Sequence, residues 1–505
     1  MDLRLAWTLL LAAVASFFAG LAATPLFDLD EGAFTAATLE MFARGDFLAT
    51  YLNGVPRYDK PILSYWLQAL SAAAFGFNEL ALRLPSALAG LVWTALAYRF
   101  ARRLYDPETA LIAAVLTATT VGVNFIARAA TADALLNACL AGALFAQFLW
   151  LRQGQPRHLY WAWAAMALGF LTKGPVALAL PLLTAFLYLA SHKDWRRLVD
   201  LIANKRAWLI FGAIALPWYV AVTLVKGPGF IEGFFLKHNV GRFAGAMEGH
   251  RGSVFYYLPV LLLLTLPYTG LLLLIGKRWR EHWRDDFGRY ALILFFLVFV
   301  LISAAATKLP HYLLYGLSPL LILLALELKN ARSRWLLLPA LVLFVALYFL
   351  PDLLASQQDR LNPYYLSLLD DIANHFGVYY RGYFAAVAGI TLVFMLWTRA
   401  ALVLRLLVVG LAASYGLGLV LLPAVGHLLQ DPIKEAGLLA RHLEVPVVMS
   451  GINNPSFSVY AGRVVERRAP LPGEAVFTDT RHLAQLPPYE LIYIRKDIAL
   501  VRLLK

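Results

Sequence analysis

The chain is poor in cysteine and in charge. Its 505 residues include one cysteine, Cys139, set in an apolar run, which excludes an intrachain disulfide and a cysteine-built metal site. Charged residues make up 15%, where a soluble domain carries about 25%. There is no G-x-G-x-x-G and no P-loop, so the usual glycine-rich cradles for a nucleotide are missing. Low-complexity tails and repeats of 20–50 residues are also missing. What fills the chain is apolar: 61% hydrophobic, too much for one core to bury. The surplus must face lipid, and the class is a polytopic helical membrane protein. The net charge of +13 would suggest a nucleic-acid partner in a soluble protein. Here the cations sit in short loops between apolar runs, which points to membrane topology instead.

A helix crosses a bilayer with about 17–25 residues, and about 13 stretches qualify. They lie near 4–24, 82–101, 109–127, 132–151, 158–172, 174–191, 207–225, 254–276, 290–306, 312–328, 335–350, 382–398 and 402–423. The first, with Arg4 ahead of it, has the outline of a signal peptide. Because many similar segments follow, it reads as the first span. The loops alternate. One set is short and basic: Arg99, Arg102 and Arg103; Arg152 and Arg157; Lys193, Arg196, Arg197, Lys205 and Arg206; Lys277, Arg278, Arg280 and Arg284; Lys329, Arg332 and Arg334; Arg399. The positive-inside bias assigns these to the cytoplasm, together with the N-terminus. The other set, 25–80, 128–131, around 173, 226–253, 307–311, 351–381 and all after about 424, is then external.

The domain reading is a membrane domain over 1–426 and a small water-exposed α/β domain over 427–505. In the latter, "QDPIKEAGLLARHLE" is expected to be a helix starting at Asp431 as N-cap with Pro432 at its first position. "VPVVMS", "AVFT" and "ELIYIR" read as strands, with helix-like "PSFSVYA" and "DTRHLAQL" between them. No catalytic motif stands out there. Its expected role is to pack over the membrane part or hold an acceptor.

The loop 25–80 is too polar to span and too patterned for disorder. Phe34, Ala37, Met41 and Phe42 recur at helical spacing while Glu40 and Arg44 point elsewhere, which predicts an amphipathic helix lying on the membrane surface. Asn53-Gly54 marks a tight turn, and Pro61 opens a second helix bearing Tyr65 and Trp66. Asp30 and Glu31 start the first helix and Lys60 precedes the second. Taken alone, Asp30 is a helix N-cap worth about 1 kcal/mol, and Lys60 a lysine snorkelling to the headgroups. Other external span ends carry more: Arg128 and Asp133, Lys173 with Gly174, His238, Asn239, Arg242, Glu248, His250 and Arg251, and Lys308, His311 and Tyr312. Each singly reads as an interfacial anchor. Gathered on one face, two acids among many cations predict an anion-binding cavity where membrane meets water.

The quoted blocks also resemble a known family. "DEGAFTAATLEMFARGDFLATYLNGVPRYDKPILSYW" is similar to the first external loop of the bacterial aminoarabinose transferases and their protein O-mannosyltransferase relatives, which are GT-C glycosyltransferases. "ARAATADALL", "LTKGPVALALP", "KHNVGRF" and "TKLPHYLL" resemble further family blocks in the family's order. The resemblance implies transfer of a sugar from a polyprenyl (undecaprenyl) phosphate donor to an acceptor outside the cytoplasmic membrane, such as lipid A or another envelope glycolipid. It implies that Asp30 is the catalytic aspartate and Asp133 a second functional one. Lys60, Arg242 and Tyr312 correspond to groups that contact the lipid phosphate, with Lys308 a neighbouring candidate. Glu31, Arg128, Lys173 and His311 join them as candidate substrate contacts. Two positions depart from the pattern: the family arginine three residues after the catalytic aspartate is Ala33, and the family glutamate before Lys-Pro is Asp59. Relatives can hold a metal with that acid and a histidine, which makes Asp59, His238 and His250 the candidate ligands here; no cofactor is required.

These residues suit direct displacement with inversion. A phosphate leaves as an anion, so the site must supply positive charge, and one oriented donor of this kind can be worth about 3–4 kcal/mol. A carboxylate opposite takes the proton of a hydroxyl acceptor, or orients the sugar when the acceptor is an ionised phosphate. Protein O-mannosylation or decoration of another glycan competes within this class. A lipid or sugar flippase, or a receptor built on 427–505, competes outside it.

Overall fold

The computed structural model describes residues 3–234, 252–356, 371–397 and 399–505. Among them, eight helices are long and apolar enough to cross a membrane: Glu79–Leu104, Asp133–Gln153, Trp195–Lys226, Asp286–Ala304, Pro310–Asn330, Arg334–Ala355, Val378–Leu396 and Leu402–Ala440. Four shorter apolar helices, Leu3–Ala15, Pro107–Thr119, Val176–His192 and Val254–Leu264, accompany them. Asp133–Gln153 and Pro310–Asn330 are innermost, each 83% buried over its most apolar window, while Trp195–Lys226 and Arg334–Ala355 are 28% buried and form the rim. The apolar stretches fall largely on helix, but not as thirteen unbroken rods, and 4–24 is helical only over Leu3–Ala15. The stretch 109–127 breaks at Thr120, between Pro107–Thr119 and Val121–Ile126. The stretch 254–276 breaks between Tyr257–Leu264 and Gly270–Lys277, at Leu266-Pro267. Asn78, Asp106, Asp194, Asn204 and Asp285 each accept a backbone N–H three residues on, so the polar residue before each apolar run starts its helix.

The first loop forms a lip helix, Asp30–Arg44, then a hairpin of β1 (Tyr51–Leu52) and β2 (Val55–Pro56), then the helix Leu63–Phe75. Asn53 and Gly54 both have positive φ, 54° and 85°, as the two-residue hairpin turn demands. The lip helix does not float on a membrane surface. Glu31 to Met41 are all buried, Glu40 included, and Phe42 is among the exposed residues. The reason is a second covering layer: the helix Ser456–Ala461 of the C-terminal region lies on the face that the amphipathic reading assigned to water. The two helices approach so closely that a Cβ on Gly32 would fall 1.9 Å from Asp28 Oδ1 and 2.7 Å from the Ser456 nitrogen.

The C-terminal region is a mixed sheet of β3 (Val447–Met449), β4 (Glu466–Arg467), β5 (Ala475–Asp479), β6 (Tyr489–Arg495) and β7 (Ile498–Leu503), in the order β4-β3-β5-β7-β6. β3 runs parallel to β4 and β5, and β7 antiparallel to β5 and β6. No new helix starts at Asp431. The helix Leu422–Ala440 passes straight through it with Pro432 inside, so the 426/427 boundary falls within a rod. Proline removes the N–H that would bind the carbonyl four residues back. That carbonyl, of Leu428, accepts Lys496 Nζ at 2.8 Å instead, and Asp431 bonds His427 at 2.8 Å.

A buried ion pair ties the lip to the bundle. Glu31 accepts both Arg83 Nε at 2.8 Å and Nη2 at 2.6 Å, together with the N–H groups of Phe27 at 2.9 Å and Ala130 at 2.7 Å. Arg83 also donates to the carbonyls of Leu21, Thr24 and Pro25. Removing one partner of such a pair leaves an uncompensated buried charge, a cost of about 3–5 kcal/mol. Glu31→Ala is therefore expected to lower the melting temperature of the detergent-purified protein sharply, and Glu31→Met/Arg83→Met to recover much of the loss. An unchanged melt for the single variant would contradict this role.

Candidate active site

Beside the lip lies a cavity of about 160 Å³ whose wall includes Asp30, Glu31, Arg128, Asp133 and His311. Asp133 opens the innermost helix Asp133–Gln153 and is buried. It accepts Lys173 Nζ at 2.5 Å, from the last residue of the helix Pro156–Lys173, and lies 3.5 Å from His311 Nε2 and 3.4 Å from the Tyr315 hydroxyl. The Lys173 ammonium sits over the rings of Tyr312 and Tyr315, at 5.2 and 5.6 Å. His311 meets Tyr312 edge-on at 4.9 Å. Asp30 and Lys60 both act electrostatically on His311, and Lys60 on Asp133 as well. Residues scattered over 282 positions of sequence, from Asp30 to Tyr312, thus converge at one end of the bundle.

The geometry assigns different work to each predicted residue. Asp30 is the first residue of the lip helix, yet it is not the cap: Leu29 holds the cap position without a side-chain bond, and the Asp30 carboxylate is exposed at the cavity. Asp28, two residues earlier, is not a second open acid beside it. Its carboxylate accepts the N–H and the hydroxyl of Ser456, at 3.0 and 2.6 Å. Lys60 donates to the Asp59 carbonyl at 3.2 Å, and Tyr312 sits against Lys173.

Three candidate substrate contacts have protein partners of their own. Glu31 is committed to Arg83 and two backbone N–H groups, so it holds the scaffold rather than a ligand. Lys308 turns away, donating to the carbonyls of Ile302 and Ser303, which the end of the helix Asp286–Ala304 leaves unpaired. Arg128 lines the cavity but spends its guanidinium on Asn124 Oδ1 at 2.9 Å and on the carbonyls of Ser16 and Ala19. Arg242, His238 and His250 lie outside the described residues. Asp59 is in an ion pair with Arg57 at 3.0 Å, and no three His, Cys, Asp or Glu side chains come together among the described residues.

One residue of the site was not singled out in the sequence. Arg57 Nη1 donates to the Ala33 carbonyl at 2.6 Å, its Nε to Asp59, and its guanidinium lies 5.5 Å over the Phe34 ring, within electrostatic reach of Asp30. The hairpin folds it back onto position 33, the position where the resembled family carries arginine. Its signal was its place in "RYDKP", two residues before Asp59.

Residues 59–224 match the family described as dolichyl-phosphate-mannose-protein mannosyltransferase. The chain is 32% identical over 331 residues to the undecaprenyl phosphate-alpha-4-amino-4-deoxy-L-arabinose arabinosyl transferase of Pseudomonas paraeruginosa, covering 64% of this chain and 60% of that protein. To the protein of the same name from Pseudomonas aeruginosa it is 31% identical over 335 residues, again with 60% of that protein covered. The sequence match thus spans about 60% of the length of these relatives. The fold extends further: the crystal structure of ArnT from Cupriavidus metallidurans bound to undecaprenyl phosphate superposes with a TM-score of 0.80, at 22% identity, over 99% of this chain and 98% of that one. The chain therefore has the GT-C fold of polytopic membrane proteins. Within that class it is ArnT-like, in fold along its length and in sequence over the matched part.

Asp28 makes the roof contact sensitive to pH. Burial raises its carboxyl from 3.8 to about 6, against the pull of the bonds from Ser456 and Asn454. The folded state then holds the proton more tightly than the unfolded one, so stability grows as pH falls from about 6.5 toward 4 and is lost as pH rises through 6. Hydrogen exchange of 26–32 and 454–460 is expected to slow over that range, and Asp28→Asn to flatten the dependence.

Proposed function

We propose that this protein is an inverting membrane glycosyltransferase that moves a sugar from a polyprenyl phosphate, of the undecaprenyl kind, to lipid A or another envelope glycolipid. The sugar is of the 4-amino-4-deoxy-L-arabinose type, as in the names of the curated relatives. The observation that carries the reading is the convergence of Asp30, Asp133 and His311 on the wall of one cavity beside the lip, with Lys173 paired to Asp133, Tyr312 against Lys173 and Lys60 within electrostatic reach. The clustering of basic residues in one set of loops supports placing that end in the cytoplasm and the cavity, with the C-terminal domain 427–505, on the periplasmic side of a bacterial inner membrane. Thirteen spans, with the N-terminus cytoplasmic, complete this topology.

In this reading the donor's tail stays in lipid while its phosphate meets Lys60, with Arg242 assigned to the same phosphate by the family resemblance. Asp133 works through Lys173 and His311: it fixes the ammonium against Tyr312 and keeps it from neutralising Asp30. Asp30 faces the opposite side, where it takes the proton of a hydroxyl acceptor or orients the sugar's amine when the acceptor is a phosphate. Arg57 stands beside Asp30 and offers the positive charge that Ala33 lacks. The reaction asks for no cofactor, since the charge leaving with the phosphate is met by side chains. Protein O-mannosyl transfer is the second reading, supported by the family matched over 59–224.

Purified protein reconstituted with a polyprenyl-phosphate aminosugar and lipid A is expected to yield modified lipid A by mass spectrometry. Asp30→Asn should lower kcat about 10²–10⁴-fold, with donor binding retained. Lys60→Ala should weaken donor binding. Movement of the lipid across the bilayer without sugar transfer would defeat the reading in favour of a flippase. Arg57→Ala should reduce turnover, and Arg57→Lys should fail to restore it, because one ammonium cannot serve Ala33 and Asp59 together in the fork geometry.

A further inference from the structure

A second, larger cavity lies apart from the reactive one. It is a groove of about 920 Å³, walled by the helices Glu79–Leu104 and Pro156–Lys173, floored by Asp133–Gln153 and roofed at one end by Leu63–Phe75. Small side chains, Ala138, Cys139, Gly142 and Ala146, make the floor concave. Along its wall it runs from Leu84 to Arg103, about 28 Å at ~1.5 Å per residue, close to the ~30 Å of a bilayer's hydrocarbon core. Leu70, Phe75, Val92 and Trp161 on its rim are exposed, so the groove opens sideways toward lipid.

Its far end is not apolar. Arg99, Arg103 and Arg157 line it, together with His158. His158 is 4% exposed, and its Nε2 has no hydrogen-bond partner. Arg103 and Arg157 both lie within electrostatic reach of that imidazole. Some cations in the basic loops have acidic partners: Lys329 with Asp106 and Glu108, Arg278 with Glu281 and Glu327, Arg197 with Asp194. Among the described residues, Arg99, Arg103 and Arg157 have none. Three guanidinium groups without acidic partners and a buried imidazole nitrogen without a partner, at the end of an apolar groove, match one chemistry: a phosphate carrying long apolar chains.

We propose that this end of the groove is a binding site for an anionic glycerophospholipid of the cytoplasmic leaflet. Its phosphate is held by Arg99, Arg103 and Arg157 with His158 Nε2, and its chain lies along the floor at Gly142. Naming the leaflet rests on the orientation argued above; the site itself does not. Charge complementarity selects an anionic headgroup over a zwitterionic one, since basic pockets between spans at that face recognise anionic lipid headgroups.

The test is a native mass-spectrometry titration of the full-length protein in detergent. The probes are phosphatidylglycerol and phosphatidylcholine of identical chains, with undecaprenyl phosphate as competitor. Phosphatidylglycerol is expected to bind at least tenfold more tightly than phosphatidylcholine. Arg103→Gln/Arg157→Gln is expected to lose about 30-fold of that affinity, while Arg196→Gln/Arg206→Gln, in the same basic loops but outside the groove, keeps it. Gly142→Leu, which fills the floor, should weaken both lipids alike. Equal affinity for the two phospholipids, an indifferent double variant, or an equal loss in the control variant would overturn the site. Displacement by undecaprenyl phosphate at a lower concentration would overturn the choice of occupant. Because the readout is lipid binding, it separates from the transfer reading: Asp30→Asn should bind phosphatidylglycerol as the parent does, whatever the transfer assay gives.

Discussion

The buried pair between Glu31 and Arg83 is the constraint on which the lip end of the bundle depends. Each ion has left water, a cost of several kcal/mol, and the pair persists because nearly every donor and acceptor is satisfied. Its reach makes it important. Through Phe27 and Ala130 the glutamate fixes the entrance of the lip helix and the approach to Asp133. Through Leu21, Thr24 and Pro25 the arginine fixes the chain leaving the first helix. Asp30, one residue before Glu31, therefore faces the cavity because its neighbour cannot turn.

The C-terminal region acts on the same lip from above. Ser456 binds Asp28, the Tyr460 hydroxyl accepts the Leu26 N–H at 2.7 Å, Lys434 pairs with Glu79 at 2.6 Å, and Asn53 reaches the Val465 carbonyl at 2.8 Å. A rod that runs unbroken from membrane into sheet holds this roof in place. The lone backbone group freed by Pro432 is taken by Lys496 from the sheet, so the proline costs the rod little. The two cavities divide the bundle by chemistry: a small polar one beneath the roof, and a long apolar one that ends among arginines without acidic partners.

Much of this was legible in the chain itself. Apolar runs separated by capped turns give the helices. The Asn-Gly turn, the strands at 447–449, 475–479 and 489–495, and the two short helices between them were also readable from local pattern. Local pattern misled wherever a distant segment changed what a face touches. The lip helix looked amphipathic because nothing in 30–44 reveals that 456–461 will cover its polar side. Asp431-Pro432 looked like a helix start because the lysine that takes the Leu428 carbonyl lies 64 positions beyond Pro432, at Lys496.

The sequence by itself determined that this is a many-spanning helical protein with acids and cations gathered at one set of loop ends, because composition and period act within a few turns of chain. Only the tertiary structure decided which of those charges are open. Glu31, Asp28, Lys308 and Arg128 are spent on the scaffold, while Asp30 lies open to the cavity beside the paired Asp133 and Lys173. The physical reason is that a buried charge must find its partner through space, and these partners, from Arg83 to Ser456, come from remote stretches of the chain.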